Sequence, residues 1–237
     1  MMWVAGVDGC PAGWAVVLVE EQGHQPRLPG AQLCTKFEEV LALFPALTVI
    51  AVDIPIGLLD QPQRGGRVCD QQARRLLGRP RRSSVFSPPS RSQFGAKNFD
   101  DVRGHGLTKQ AYNILRKIVE VDNLLTPDLQ NRVYESHPEL AFWHLAAAPM
   151  RFKKKTIKGR EERLRALERG SPNLDQNIRQ RFSEDLEAVE RKDVAPDDLL
   201  DAYALAWAAL CIAERTAKRV PSNPPIDRRG LRMEIWY

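Results

Sequence analysis

The sequence predicts an α/β chain on a mixed sheet that starts antiparallel and continues through a helical crossover. Three observations predict it. Two apolar runs, 3–7 and 14–19, flank the turn-forming stretch Gly9-Cys10-Pro11-Ala12-Gly13 and read as a hairpin. A continuous β-branched run at 48–52 has the pattern of a strand buried on both faces. Between them lies a segment of helical spacing, which makes the connection a crossover.

The elements follow in order. Residues 30–34 read as a third, weaker strand. In 35–44, Phe37, Val40, Leu41 and Phe44 recur at helical spacing, Thr35 stands as N-cap with Glu38 three residues on, and Pro45 closes the helix. Asp53 ends the strand at 48–52. Residues 61–106 then change character: 78–106 is rich in Gly, Pro, Ser and Arg with little periodicity, and predicts a basic, loop-rich insertion. Structureless loops longer than about 12–15 residues are usually functional lids or disordered segments. Helical spacing resumes over 107–125, a short strand covers 132–135, and 138–148 reads as helix. Two strongly charged helices are expected at 158–169 and 173–192, an Ala-rich helix at 196–218, and a last apolar stretch at 235–237. A length of 237 residues fits one domain, 1–237, carrying the insertion.

Composition bounds the function. Hydrophobic residues at 43% and charged residues at 27% are ordinary globular usage and exclude wholesale disorder. The longest apolar run, 202–213, falls short of the roughly 20 residues that span a bilayer, so no membrane role is expected. The start, MMWVAGVDGC, lacks a basic segment and reads as no secretory signal. Cys10, Cys34, Cys69 and Cys211 form no C-x-x-C and no zinc-like pattern; reduced thiols in a cytoplasmic protein are expected, with Cys10 and Cys211 packed as small apolar residues.

The chemistry lies in the acids. Asp8 ends the first strand, Asp53 ends the buried strand, and Glu135 ends the later short strand. Asp198 and Asp201, three apart on the last long helix, share a face. Pro196 suits the first helical position, and Asp197 beside it reads as a complement to the helix dipole. If the first and fourth strands are neighbours, Asp8 and Asp53 converge at one sheet edge. Clustered carboxylates repel and raise one another's pKa unless a cation compensates. Oxygen-only donors without His or Cys suit Mg²⁺ or Mn²⁺ rather than zinc, and two such ions about 3.5–4 Å apart serve phosphodiester hydrolysis.

This order of acids, with Asp-x-x-Asp-Ala-x-Ala on a late helix, resembles the ribonuclease H-like superfamily and the RuvC-type Holliday-junction resolvases within it. More closely, Gly6-Val7-Asp8-Gly9-Cys10-Pro11-Ala12-Gly13-Trp14 and Asp53-Ile54-Pro55-Ile56-Gly57-Leu58 resemble an uncharacterised family of predicted nucleases of that fold (domain of unknown function 429). Cys69-Asp70-x-x-Ala73-Arg74, Ser83-Ser84-Val85-Phe86, Glu135-Ser136-His137-Pro138-Glu139 and Asp198-x-x-Asp201-Ala202 extend the resemblance along nearly the whole chain. The resemblance implies a ribonuclease H-like fold with antiparallel N-terminal strands, helices on both faces and the long insertion after the fourth strand. It also implies that Asp8, Asp53, Asp198 and Asp201 are metal-binding carboxylates. Glu135 would be a catalytic addition to that set. The family has no firmly assigned activity.

The net charge of +5 conceals two basic stretches. Residues 64–82 hold seven arginines against Asp70, and 151–169 hold nine Lys or Arg against three Glu, a local balance of +6 in each. Such cations suit phosphate oxygens. Arg67, Arg74, Arg81, Ser83 and Lys154 are the expected substrate-binding residues. His137, before Pro138, reads as a structural histidine or an aid to proton transfer. The expectation is a Mg²⁺- or Mn²⁺-dependent nuclease acting on DNA or RNA. Two alternatives stay open: a nucleotide-dependent phosphotransferase or ATPase of the actin-like kind, and a non-catalytic nucleic-acid-binding module. A homodimer also stays open, being natural for junction-cleaving relatives.

Overall fold

The computed structural model describes residues 2–22, 25–43, 47–104, 106–170 and 177–237. Its opening hairpin is longer than the apolar runs imply. β1 (Met2–Cys10) and β2 (Gly13–Gln22) pair antiparallel from Met2↔Glu21 to Cys10↔Gly13, so Pro11 and Ala12 alone make the turn. Asp8 therefore sits inside this ladder, opposite Ala15, rather than at the strand's end. β3 (Gln25–Cys34) pairs antiparallel with β2 and begins before the expected 30–34. Pro26 and Pro29 mask it in the sequence, and an edge strand tolerates both.

α1 (Phe37–Ala42) leads to β4 (Leu47–Val52), which runs parallel to β1. The expected Thr35 cap is displaced by one residue. Lys36 holds the N-cap position, and the Thr35 amide and hydroxyl donate instead to the Glu39 carboxylate at 2.7 and 2.8 Å. Phe44 and Pro45, expected to close that helix, lie outside the described residues.

The expected insertion is half helical. α2 (Val68–Arg81) places Cys69, Ala73 and Leu77 on one buried stripe. The helix expected over 107–125 is broken at Ile114 into α3 (Lys109–Asn113) and α4 (Leu115–Leu124). β5 (Val133–Glu135) then pairs parallel with β4. α5 (Pro138–Ala146), α6 (Ile157–Gly170), α7 (Ile178–Ala188) and α8 (Pro196–Ala213) follow. Of the helix expected at 173–192, residues 173–176 lie outside the described residues. α8 stops short of the expected 218 because Arg215 adopts the left-handed conformation, φ 61°, and the chain turns into β6 (Arg219–Val220). β6 pairs with β7 (Ile235–Trp236), and Trp236 bridges to Ser136 beside β5.

The large sheet has the order β3-β2-β1-β4-β5, with β2 antiparallel to both neighbours and β1, β4 and β5 mutually parallel. This is the ribonuclease H-like arrangement, with helices on both faces. Strand alternation sorts the core in two. Val4, Ala15, Val17, Val19, Val49 and Ala51 pack with α5 to α8, whereas Ala5, Val7, Val16, Leu18, Ile50 and Val52 pack with α1 and α4. The described cysteines are all free thiols; Cys10 is buried as expected and Cys211 only half-buried.

α8 rests directly on β1. A Cβ at Gly6 would stand 2.0 Å from the Ala206 nitrogen and 2.2 Å from the Ala202 carbonyl oxygen. Backbone meets backbone there, and no side chain can yield. Gly6→Ala should therefore destabilise the fold by about 1–3 kcal/mol, the range for overpacking, with a matching fall in the midpoint of denaturant unfolding.

Candidate active site

Three elements bring the carboxylates together. On β1, Val4, Gly6 and Asp8 follow the two-residue alternation, so Asp8 faces α8 one step beyond the Gly6 contact. The Asp53 amide donates to the Val7 carbonyl at 3.0 Å, continuing the β1–β4 pairing one residue past Val52. Along β4, Val49 and Ala51 belong to the α8 face, and Asp53 is next in that alternation. On α8, Asp201 immediately precedes Ala202, and Asp198 lies one turn earlier. Buried alanines and leucines after Asp201 hold the helix on the sheet.

Asp8, Asp53, Asp198 and Asp201 interact electrostatically as one group. Burial pushes the Asp8 carboxyl well above the usual range, and the charges of Asp53, Asp201 and Asp198 add to the rise. Burial also raises Asp53, while His137 and Lys154 pull it back. Burial lifts Asp201 to about 6 against the opposing charge of Lys154. Asp198 rises through its burial and the nearby Asp197.

Lys154 is the cation inside this group. Its Nζ donates to Asp201 Oδ2 at 2.6 Å and stands 3.6 Å from Asp197. The sequence singles out Lys154 only as a phosphate contact. Lys117, which the sequence reading missed, lies on the other side of the hairpin turn. Its Nζ donates to the Gly13 carbonyl at 2.5 Å, sits 4.6 Å from the centre of the Trp14 ring, and feels the charges of Asp8 and Asp198. Lys117 belongs to α4, and nothing in its local pattern marks it.

The later acids separate by role in the fold. Glu135 points into the protein, where its two oxygens accept from Arg67 at 2.6 and 2.7 Å and from the Ile56 amide at 2.7 Å. Arg67 also pairs with Asp70 at 2.7 Å and donates to the Ile56 and Gly57 carbonyls. Burial still lifts Glu135 to about 7 despite that guanidinium. Glu139, by contrast, acts electrostatically on Asp53. One of its oxygens pairs with the fully buried Arg163, and the other, Oε2, is buried with no hydrogen bond. His137 caps α5, its Nδ1 accepting from the Glu139 amide at 3.2 Å. This leaves its Nε2 to donate to the Ser84 carbonyl, 3.4 Å away. The stretch Glu135-Ser136-His137-Pro138-Glu139 thus presents His137 and Glu139 to Asp53, and Glu135 to Arg67.

The arginines expected to bind substrate are engaged within the protein. Arg67 is buried as described. Arg74 donates to the Val85 carbonyl at 2.8 Å, the Gly65 carbonyl at 2.7 Å and the Ser87 hydroxyl at 2.9 Å. Arg81 donates to the Met150 carbonyl at 2.5 Å and to the Phe152 carbonyl. Ser83 is exposed, in the short turn after α2.

The family described as "Protein of unknown function (DUF429)" matches residues 6–226. The chain belongs to that family. No curated protein matches it. Among solved structures, the DUF429 chain is similar to a Thermus thermophilus RuvC structure, at 16% identity and a TM-score of 0.39. It is also similar to T. thermophilus RuvC in complex with a Holliday junction substrate, at 16% identity and a TM-score of 0.36. Both alignments cover 92% of this chain and 99% of the other. At these scores the likeness adds nothing to the strand order, which sets the fold.

The donor chemistry fits a hard divalent cation: four aspartates from three elements, opposed by Lys154, with desolvation unrelieved. As placed, no three acidic, His or Cys groups among the described residues stand together as a coordination shell, and Lys154 occupies Asp201.

Two outcomes are expected. Without divalent ions, Asp8→Asn should raise the melting temperature at pH 7.5, because the ionised carboxylate opposes folding. A raised carboxylate pKa costs stability as pH climbs from the unfolded value towards the folded one, so the gain should fade as pH falls and vanish only below about pH 3, under the unfolded value of 3.8, where Asp8 is protonated in either state. Arg67→Met should cost about 3–5 kcal/mol in chemical denaturation, since it strands buried carboxylates. That loss should grow as pH rises above 7, because Glu135, lifted to about 7 beside Arg67, gives up its proton there only while the guanidinium is present.

Proposed function

We propose that this DUF429 protein is a metal-dependent nuclease that hydrolyses phosphodiester bonds in nucleic acid. One observation carries the reading. Four aspartates from β1, the end of β4 and α8 lie where the two central parallel strands meet that helix, and burial together with neighbouring acids raises their pKa values. A fold tolerates such an arrangement when the acids have work to do.

Asp8, Asp53, Asp198 and Asp201 would hold Mg²⁺ or Mn²⁺. Bound there, the cation would supply Lewis acidity towards a phosphoryl oxygen and ease deprotonation of water. The chain's own groups do the rest. Asp8 and Asp53 stand on adjacent parallel strands, which fixes their spacing rigidly. Lys154 neutralises Asp201 in the metal-free chain, and with a cation held by that carboxylate it would be available to a phosphate oxygen. His137, held by the Glu139 amide and the Ser84 carbonyl, keeps a ring near Asp53 with its orientation set. Glu135 acts as a positioning residue, since its carboxylate ties the loop after Asp53 to Arg67.

The test is cleavage of labelled single strands, duplexes, RNA–DNA hybrids and branched junctions with Mn²⁺, Mg²⁺ or EDTA. Metal-dependent cleavage is expected, falling by about 100-fold or more in Asp8→Asn and Asp53→Asn. That exceeds the 10–100-fold that loss of an outer-shell partner costs. Cleavage that survives EDTA, or is equal in Asp8→Asn and wild type, would overturn the reading.

A further inference from the structure

The two basic stretches look alike in sequence and differ in the fold. Around α6 several of the charges are answered locally, although Lys158, Arg160 and Arg169 have no ion pair among the described residues. Arg165 pairs with Glu161 at 2.8 Å, Arg179 pairs with Glu161 and Glu168 at 2.8 Å, and Arg151 reaches Glu162 at 3.4 Å. On α2 they are not. Arg75, Arg79 and Arg82 are exposed, and none of the ion pairs among the described residues involves them.

These three arginines line one concavity of about 470 Å³ together with Arg74, Gly78, Ser83 and Val85, and no acid lines it. The concavity is built by the chain. At Gly78 the backbone leaves the helix, with φ 55° and ψ −162°, a conformation that L side chains avoid. A Cβ there would touch nothing within 4 Å, so the glycine answers a backbone demand rather than a crowded one. The break redirects Arg79 and Arg82 relative to Arg75. Arg74 holds the opposite wall by its bonds to Val85, Gly65 and Ser87.

The cleft is tied to the aspartate group at two points. The Ser84 carbonyl, one residue beyond Ser83, meets His137, which faces Asp53. Arg81 holds the Met150 carbonyl, in the segment that carries Lys154 to Asp201.

We propose that Arg75, Arg79 and Arg82 form a binding cleft for the phosphodiester backbone of a nucleic acid, outside the position where the aspartates act. Guanidinium forks match phosphate oxygens two at a time, and three without internal partners leave that capacity open. The inference rests on the nuclease reading for its substrate class, but not on cleavage.

Binding in EDTA separates the two. Fluorescence anisotropy of labelled 30-nucleotide single strands and duplexes is measured across a salt series for wild type, Asp8→Asn and Arg75→Gln/Arg79→Gln/Arg82→Gln. Arg79→Glu serves as a single-site check, and each melting temperature is recorded. The triple variant should bind at least about tenfold more weakly near 0.1 M salt. The slope of log affinity against log salt should fall by about 2–3, the loss of three phosphate contacts. Asp8→Asn, which removes an acid beside the proposed path of the strand, should bind at least as tightly as wild type and keep its salt slope. Equal affinity and slope in the triple variant would overturn the cleft while leaving the nuclease reading intact. Wild type that binds no nucleic acid would overturn both. Displacement of the oligonucleotide by inorganic phosphate at matched ionic strength would overturn the assignment to a polymer backbone. Binding that depends on the arginines, in a protein that cleaves nothing, would sustain the cleft and sink the nuclease.

Discussion

Helix α8 lies on β1 with backbone against backbone, because Gly6 leaves room for Ala202, Leu205 and Ala206 to come down onto the strand. The carboxylates inherit their spacing from that contact. Asp8 stands two residues beyond Gly6 on the same side of the strand, and Asp201 immediately precedes Ala202 on the helix. Alanines at 202, 204, 206, 208 and 209 keep the helix close along its length, and all are fully buried. A dense interior transmits such a constraint, since it deforms little.

The chain handles buried acids in two ways on neighbouring strands. Beside β5, Glu135 and Asp70 share one buried guanidinium, and backbone carbonyls take up the rest of Arg67. A satisfied network of this kind makes the loop after Asp53 rigid. At the ends of β1 and β4 the acids outnumber the cations that reach them, and their carboxyls stay raised. The first arrangement resolves its charge internally, whereas the second leaves charge for something outside the chain to answer.

Much of the fold was legible because strands and helices write their periods into the sequence. The apolar runs at 3–7 and 48–52 marked β1 and β4 and put Asp8 and Asp53 after them, while the parallel pairing of the two strands makes those acids neighbours. α2 escaped notice for a physical reason. Its buried stripe of Cys69, Ala73 and Leu77 is small, and it is surrounded by arginines and closed by Gly78 and Pro80. Its partners, Leu140, Ile235 and Tyr237, lie far along the chain, so no local pattern records why it is helical. Lys117 and Glu139 were obscure in the same way, each brought to the aspartates by an element whose own sequence shows only an ordinary helix.

By itself the sequence determined the order of the main sheet strands and of the later helices, and that Asp8, Asp53 and Asp201 would each adjoin apolar structure. Periodicity is local, and burial of one face follows from it. Which charges are answered was decided only by the tertiary structure. Arg67, Arg75, Arg163 and Arg165 are indistinguishable as letters. Folding buries Arg67 against Glu135 and Arg163 against Glu139, pairs Arg165 with Glu161, and leaves Arg75 exposed in its cleft. A charge's meaning depends on the groups within a few ångströms of it, and for Arg67 and Arg163 those come from distant parts of the chain.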